Sequence, residues 1–239
     1  DAAYAQFSRL VQHGRFWPLI VTPAVFAFLS WATSGPLRAT RGSGTPQAIA
    51  ALQVEDERFR HGLLSLKVAL GKMALTLLAL LGGASVGREG PTVHVGAGLL
   101  YTLGRRFGLA DAASAGRFIL AGSAAGLAAA FNTPLAGVVF AIEEMSGAFE
   151  HRMSGVILTA VIMSGVVSLG ILGNYAYFGR FDIVLPLGRA WVAVVACGLV
   201  CGLMGGLYAR LIQPGSRGIV GWVAATRGRN PVLFAAGCG

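Results

Sequence analysis

The chain has 239 residues, 55% of them hydrophobic and only 12% charged, with a mean hydropathy of +0.67. Soluble domains carry about 25% charged residues, so the composition argues against a soluble enzyme and for an all-α, polytopic membrane protein. The net charge of +9 fits basic loops that obey the positive-inside rule and a surface that concentrates anions. The Arg and Lys residues lie between apolar spans, which argues against a nucleic-acid binder.

Spanning helices need about 20 apolar residues each, which leaves room for roughly six to eight segments. Residues 1–15 form a polar N-terminal segment without a secretory signal. Phe16 to Trp31 is the first apolar run and contains Pro18 and Pro23. A basic linker with Arg38 and Arg41 leads into Gly42-Ser43-Gly44-Thr45-Pro46. Gln47 to Val54 is too short to span, and Glu55 to His61 reads as a charged loop. Leu63 to Gly83 reads as one full span carrying Lys67 and Lys72. A helix is expected from Glu89 to about Leu103, followed by a surface loop with Arg105, Arg106 and Asp111. Ala112 to Ala130 is small and apolar. Asn132-Thr133-Pro134 opens another helix that ends near Glu143-Glu144. Met153 to Leu172 and Trp191 to Ile212 read as spans, separated by an aromatic polar loop from Asn174 to Arg189. Arg217 to Asn230 is a basic linker, and Pro231 begins a last helix. The organisation expected is a first membrane repeat over 16–189 and the start of a second over 190–239.

Three segments share one design, a polar or glycine break followed by proline in the first helical turn. They are Ser43-Gly44-Thr45-Pro46, Gly87-Arg88-Glu89-Gly90-Pro91 and Asn132-Thr133-Pro134. Proline suits that turn because its missing N–H would be unpaired there anyway. Ser43 and Asn132 are expected to be N-caps. Broken backbone at membrane depth is tolerated where it lines a cavity or is buried in protein, and broken helix N-termini are how transporters hold anions at the midplane. Glu89 is an ionisable residue in sequence otherwise fit for lipid, which makes it a functional candidate.

The other polar groups are less specific. Cys197 and Cys201 alternate with Gly198 and Gly202 on one helix face, a small-residue pattern that lets helices approach in lipid; no metal site is expected. His13, His61, His94 and His151 are scattered, and His94 is read as a packing residue. Lys72 is either buried in its span or reaching for the interface.

These motifs closely resemble the CLC family of chloride channels and chloride/proton antiporters. The resemblance rests on GSGTP (Gly42 to Pro46), GREGP (Gly87 to Pro91) and the run GSAAGLAAAFNTPLAGVVFAIEE (Gly122 to Glu144). It implies a CLC-type inverted-repeat fold with broken half-helices, first repeat and start of the second. It implies an anion site built on Gly42, Ser43, Gly44, Thr45 and Pro46 and on Gly87, Arg88, Gly90 and Pro91. Within it Ser43 coordinates the anion and Arg88 is held by carbonyls or a carboxylate. Glu89 is implied to be the gate, its carboxylate competing with chloride, and Glu144 the inner proton-transfer group. Ten residues separate Pro134 from Glu144, about 15 Å of helix, or half of a ~30 Å hydrocarbon core.

The resemblance thus implies a proton-coupled chloride antiporter, with chloride and protons as substrates, no cofactor, and a homodimer in the lipid bilayer. A passive Glu89-gated channel and a non-transporting half-length modulator subunit are the alternatives. The compact chain suggests a bacterial inner or plasma membrane. The later glycine-rich motif and tyrosine that complete the family's anion site have no counterpart here, so a longer protein is expected.

Overall fold

The computed structural model describes residues 2–13, 16–111, 114–146, 155–174, 188–217 and 230–238. Among them every regular element is helical. In chain order these are α1 (Ala2–His13), α2 (Trp17–Ser34), α3 (Thr45–Gln53), α4 (Glu57–Leu64), α5 (Leu66–Leu81) and α6 (Glu89–Arg106). There follow α7 (Ala115–Phe131), α8 (Pro134–Phe140), α9 (Gly155–Leu172), α10 (Arg189–Arg217) and α11 (Pro231–Cys238). A 3-10 turn, Arg38–Thr40, precedes α3, and a π-helical turn, Ala141–Ser146, continues α8.

Four stretches are long and apolar enough to cross a membrane, Trp17–Ser34, Glu57–Leu81, Gly155–Leu172 and Trp191–Leu211. Their outward side chains are those expected to face lipid tails. Leu70, Met73 and Leu77 of α5 and Val166, Val167 and Ile171 of α9 are exposed. On α10 the side chains from Trp191 to Leu211 are all exposed.

The centre of the bundle is α6 against α7, and glycine sets its spacing. A Cβ on Gly96 would collide with the Gly122 carbonyl, one on Gly122 with the Gly96 carbonyl, and one on Gly126 with the Thr92 carbonyl. Backbones therefore touch, which is how helices gain dispersion contact in lipid without a hydrophobic drive. Small residues fill what is left: Ala97, Ala121, Ala124 and Ala128 are fully buried with Ile119 and Tyr101. Serines of α9 knit it to α7, Ser164 donating to the Ala125 carbonyl at 2.7 Å and Ser168 to the Ala129 carbonyl at 3.4 Å. α11 packs on α2, where Ser30 donates to the Pro231 carbonyl at 3.0 Å.

Several expectations need correction. The charged stretch from Glu55 to His61 is mostly helix, because Asp56 caps α4 by accepting from the Arg58 N–H at 2.9 Å. Buried Arg60 then donates through Nε to the Ala51 carbonyl at 3.0 Å near the end of α3. The span expected from Leu63 to Gly83 is broken at Ser65, which is extended (φ −69°, ψ 154°) and separates α4 from α5. The helix from Glu89 runs on to Arg106. Most of the loop from Asn174 to Arg189 and of the linker from Arg217 to Asn230 lies outside the described residues.

Candidate anion site

The GSGTP segment forms a tight loop because two of its residues adopt backbone conformations that favour glycine. Gly42 has φ 89° and Gly44 φ 124°. Gly44 is also the residue that caps α3, its carbonyl accepting from the Ala48 N–H at 3.0 Å. Ser43 is therefore not the N-cap expected from sequence. It sits one residue further out, with its side chain exposed to the neighbouring cavities. Thr45 and Pro46 begin the helix, and proline fits there without losing a bond. Two side chains fasten the loop. The Gln47 amide donates to the Arg41 carbonyl. Lys72, 2% exposed and thus buried in its span, donates from Nζ to the Gly42 carbonyl at 3.1 Å.

Glu89 is the first residue of α6, with Gly90 and Pro91 completing the opening turn. Its carboxylate folds back over the preceding loop: a Cβ on Gly87 would lie 2.5 Å from Glu89 Oε2. The Thr92 hydroxyl donates to the Glu89 carbonyl at 2.8 Å, which secures the turn. This start of α6 lies directly against the GSGTP loop. A Cβ on Gly90 would come within 2.8 Å of the Ser43 carbonyl oxygen, and one on Gly44 would overlap the Gly90 carbonyl. Arg88 is half-buried and lines neither of the two cavities at the loop.

Those cavities lie on either hand of Ser43. One, of about 640 Å³, is lined by Gly42, Ser43, Lys72, Gly87, Glu89, Gly90 and Pro91, and Ala235 of α11 reaches its wall. The other, of about 1150 Å³, is lined by Ser43, Thr45 and Pro46 of the α3 start, Thr133 and Leu135 of the α8 start, and Glu143 and Glu144. Of the sequence-predicted residues, Ser43 alone borders both. Glu143 and Glu144 are exposed in the π-helical turn that ends α8. The third broken helix thus meets the first in the larger cavity, while the second meets the first in the smaller one.

Asn132 has a different role from the N-cap expected. It is the left-handed residue closing α7, with φ 55° and ψ 35°, and its side-chain amide donates to the Gly173 carbonyl at 3.3 Å. Thr133 takes the N-cap position of α8. Asparagine is one of the few side chains that visit this region readily, and it serves helix ends for that reason. His94 is buried at 1% exposure, as expected of a packing residue, and its Nε2 lies 2.9 Å from the Leu63 carbonyl oxygen. Cys197 and Cys201 are exposed free thiols, and no metal-ligating cluster occurs among the described residues.

An all-helical membrane chain with glycine-broken helix starts converging on one serine defines a class, and comparison with known proteins agrees. Residues 25–239 match the family described as voltage gated chloride channel, and the chain belongs to that family, the CLC proteins. Membership places it among channels and transporters, not enzymes. The chain is 34% identical over 134 residues to a protein of Citrobacter koseri named H(+)/Cl(-) exchange transporter ClcA, and 35% identical over 133 residues to the ClcA of Cronobacter sakazakii. The ClcA of Salmonella arizonae is similar at 34% over 134 residues. Each alignment covers 54% of this chain and 28% of the relative, so the matched region spans under a third of these relatives' length.

Proposed function

We propose that this chain carries the first half of a chloride pathway in a proton-coupled chloride exchanger. The observation that carries the reading is that Ser43 borders two cavities, one holding Glu89 and the other Glu144. A dehydrated chloride at Ser43 would meet the N-terminal end of α3, whose unpaired N–H groups and positive dipole end favour an anion. Lys72 lines the smaller cavity and gives one of its donors to the Gly42 carbonyl, while the contacts at Ser43 itself are helix-end dipoles, whose weak hold suits an ion that must leave again. Anion contacts are assigned to Gly42, Ser43, Gly44, Thr45 and Pro46 of the first loop and to Gly87, Gly90 and Pro91 of the second; Arg88, which lines neither cavity, is given a structural role instead.

Glu89 is the gate in this reading. Its carboxylate and a chloride compete for the same helix-terminal donors, and protonation removes the competing charge. Glu144, across Ser43 in the larger cavity, is the proton's inner station. Such a pair links ion and proton movement, because the two share the position of Glu89 and part on the way to Glu144. The fold is read as one repeat of broken helices ending at 189, with α10 and α11 opening a second, inverted one, and the working unit as a homodimer.

Glu144→Gln in the complete exchanger, reconstituted in liposomes, tests the assignment. Chloride flux should persist while the reversal potential stops responding to a pH gradient. Proton coupling that survives the substitution would remove Glu144 from the mechanism.

A further inference from the structure

The break between α4 and α5 creates a need that α6 meets. The last four carbonyls of a helix have no partner within it, and extended Ser65 prevents α5 from continuing the ladder. Leu64 is fully buried and Leu63 half-buried, so water is a poor substitute. One stripe of α6 supplies the partners, at residues four apart. His94 Nε2 lies 2.9 Å from the Leu63 carbonyl oxygen, and Thr102 Oγ1 donates to the Leu64 carbonyl at 3.4 Å. Between them Gly98 admits the Leu64 carbonyl, which would stand 3.1 Å from a Cβ there.

A ring nitrogen facing a carbonyl oxygen must carry the hydrogen, so Nε2 is the donor. The other nitrogen, Nδ1, is buried and has no hydrogen-bond partner among the described residues. His94 therefore has one polar contact in use. Its Cβ meets the anion loop as well, since a Cβ on Gly44 would lie 2.8 Å from it. A single side chain thus touches Gly44, belongs to the helix that begins with Glu89, and is bonded to the α4–α5 break.

We infer that His94 is a positioning residue that fixes how deeply α6 seats against the GSGTP loop, and through that the placing of Glu89 relative to Ser43. The inference rests on reading Ser43 and Glu89 as an anion-binding pair. It is specific about which nitrogen matters. A glutamine amide nitrogen reaches about as far as Nε2, whereas an asparagine amide stops near the position of Nδ1.

The experiment is chloride titration calorimetry on the purified full-chain protein and its His94→Gln and His94→Asn variants, with melting temperatures measured alongside. Glutamine is expected to bind chloride as the parent does. Asparagine is expected to bind about fivefold more weakly, the equivalent of one net hydrogen bond. Should His94→Asn fail to fold, His94→Leu, which fills the ring's volume without a donor, takes its place under the same criteria. Equal affinities in all three proteins, or a glutamine variant as weak as asparagine, would overturn the role of His94 alone. A residue that only packs would lower the melting temperature and leave chloride affinity where it was, which also overturns it. A parent protein that binds no chloride would remove the anion reading itself, and this inference with it.

Discussion

The ammonium group of Lys72 donates a hydrogen bond to the carbonyl oxygen of Gly42, 30 residues earlier in the chain. The contact clamps a glycine loop, which has little stiffness of its own, to the wall of α5. Lys72→Met keeps the volume and removes the donor. Gly42 lies in an exposed loop, so the global stability should change little. Chloride affinity should fall about tenfold, the lower end of what a charge-assisted hydrogen bond contributes. Titration calorimetry with a parallel thermal melt separates the two effects.

Alanine substitutions in the loop should rank by what the added methyl meets. At Gly44 the methyl overlaps the Gly90 carbonyl and approaches His94, and the φ of 124° is itself strained for any L side chain. Strain and overpacking each cost about 1–3 kcal/mol, so Gly44→Ala should lower the melting temperature sharply or prevent folding. At Gly42 the φ of 89° is strained for an L side chain as well, but the methyl meets only the end of the Gln47 side chain, not backbone, and Gln47 could yield by giving up its bond to the Arg41 carbonyl. Gly42→Ala should be the milder change. Size-exclusion profiles and melts of the two variants check the order.

Glu89→Gln holds the side chain in the uncharged form. Under the proposed mechanism chloride flux into liposomes should become indifferent to pH across the acid and neutral range, and proton movement should cease. Retained pH dependence would mean that another group controls entry.

Asp111 and Ser114 tie off the connection between α6 and α7. The Ser114 hydroxyl and backbone N–H both donate to the Asp111 carboxylate, the latter at 2.7 Å. These bonds, hydroxyl first, hold the carboxyl below its ordinary value of 3.8. A depressed carboxyl contributes stability that is present above its unfolded pKa and is lost as pH falls through the folded one. Ser114→Ala should return the Asp111 titration, followed by carbon-detected NMR, towards the ordinary range and weaken acid sensitivity at this loop. The group is exposed, so the effect on overall stability should be slight.

The parts of this site that sequence disclosed are those written in glycine and proline. GSGTP and GREGP interrupt apolar runs in a way few other structures require, and the structure brings Ser43 and Glu89 to one cavity. What stayed hidden depends on backbone angles or on distant partners. Ser65 breaks a span without any glycine or proline to mark it, and the helix of α4 was masked by the charges of Glu57, Arg58 and Arg60. Asn132 and Thr133 are both fit to cap a helix, and only the left-handed angle of Asn132 decides which helix each serves. The Lys72–Gly42 and His94–Leu63 bonds join residues about 30 apart, beyond any local pattern.

The contact between Gly44 and Gly90 involves backbone on both sides. The loop and the helix that begins with Glu89 therefore share a seam that is mostly backbone, with the Cβ atoms of Ser43 and His94 at its edge. Under the proposed reading, backbone contact of this kind leaves little room to fit a larger or smaller anion by adjusting that seam. Such tuning has to fall on the residues around its rim, Ser43 and Thr45 first, while the spacing itself is inherited whole with the fold.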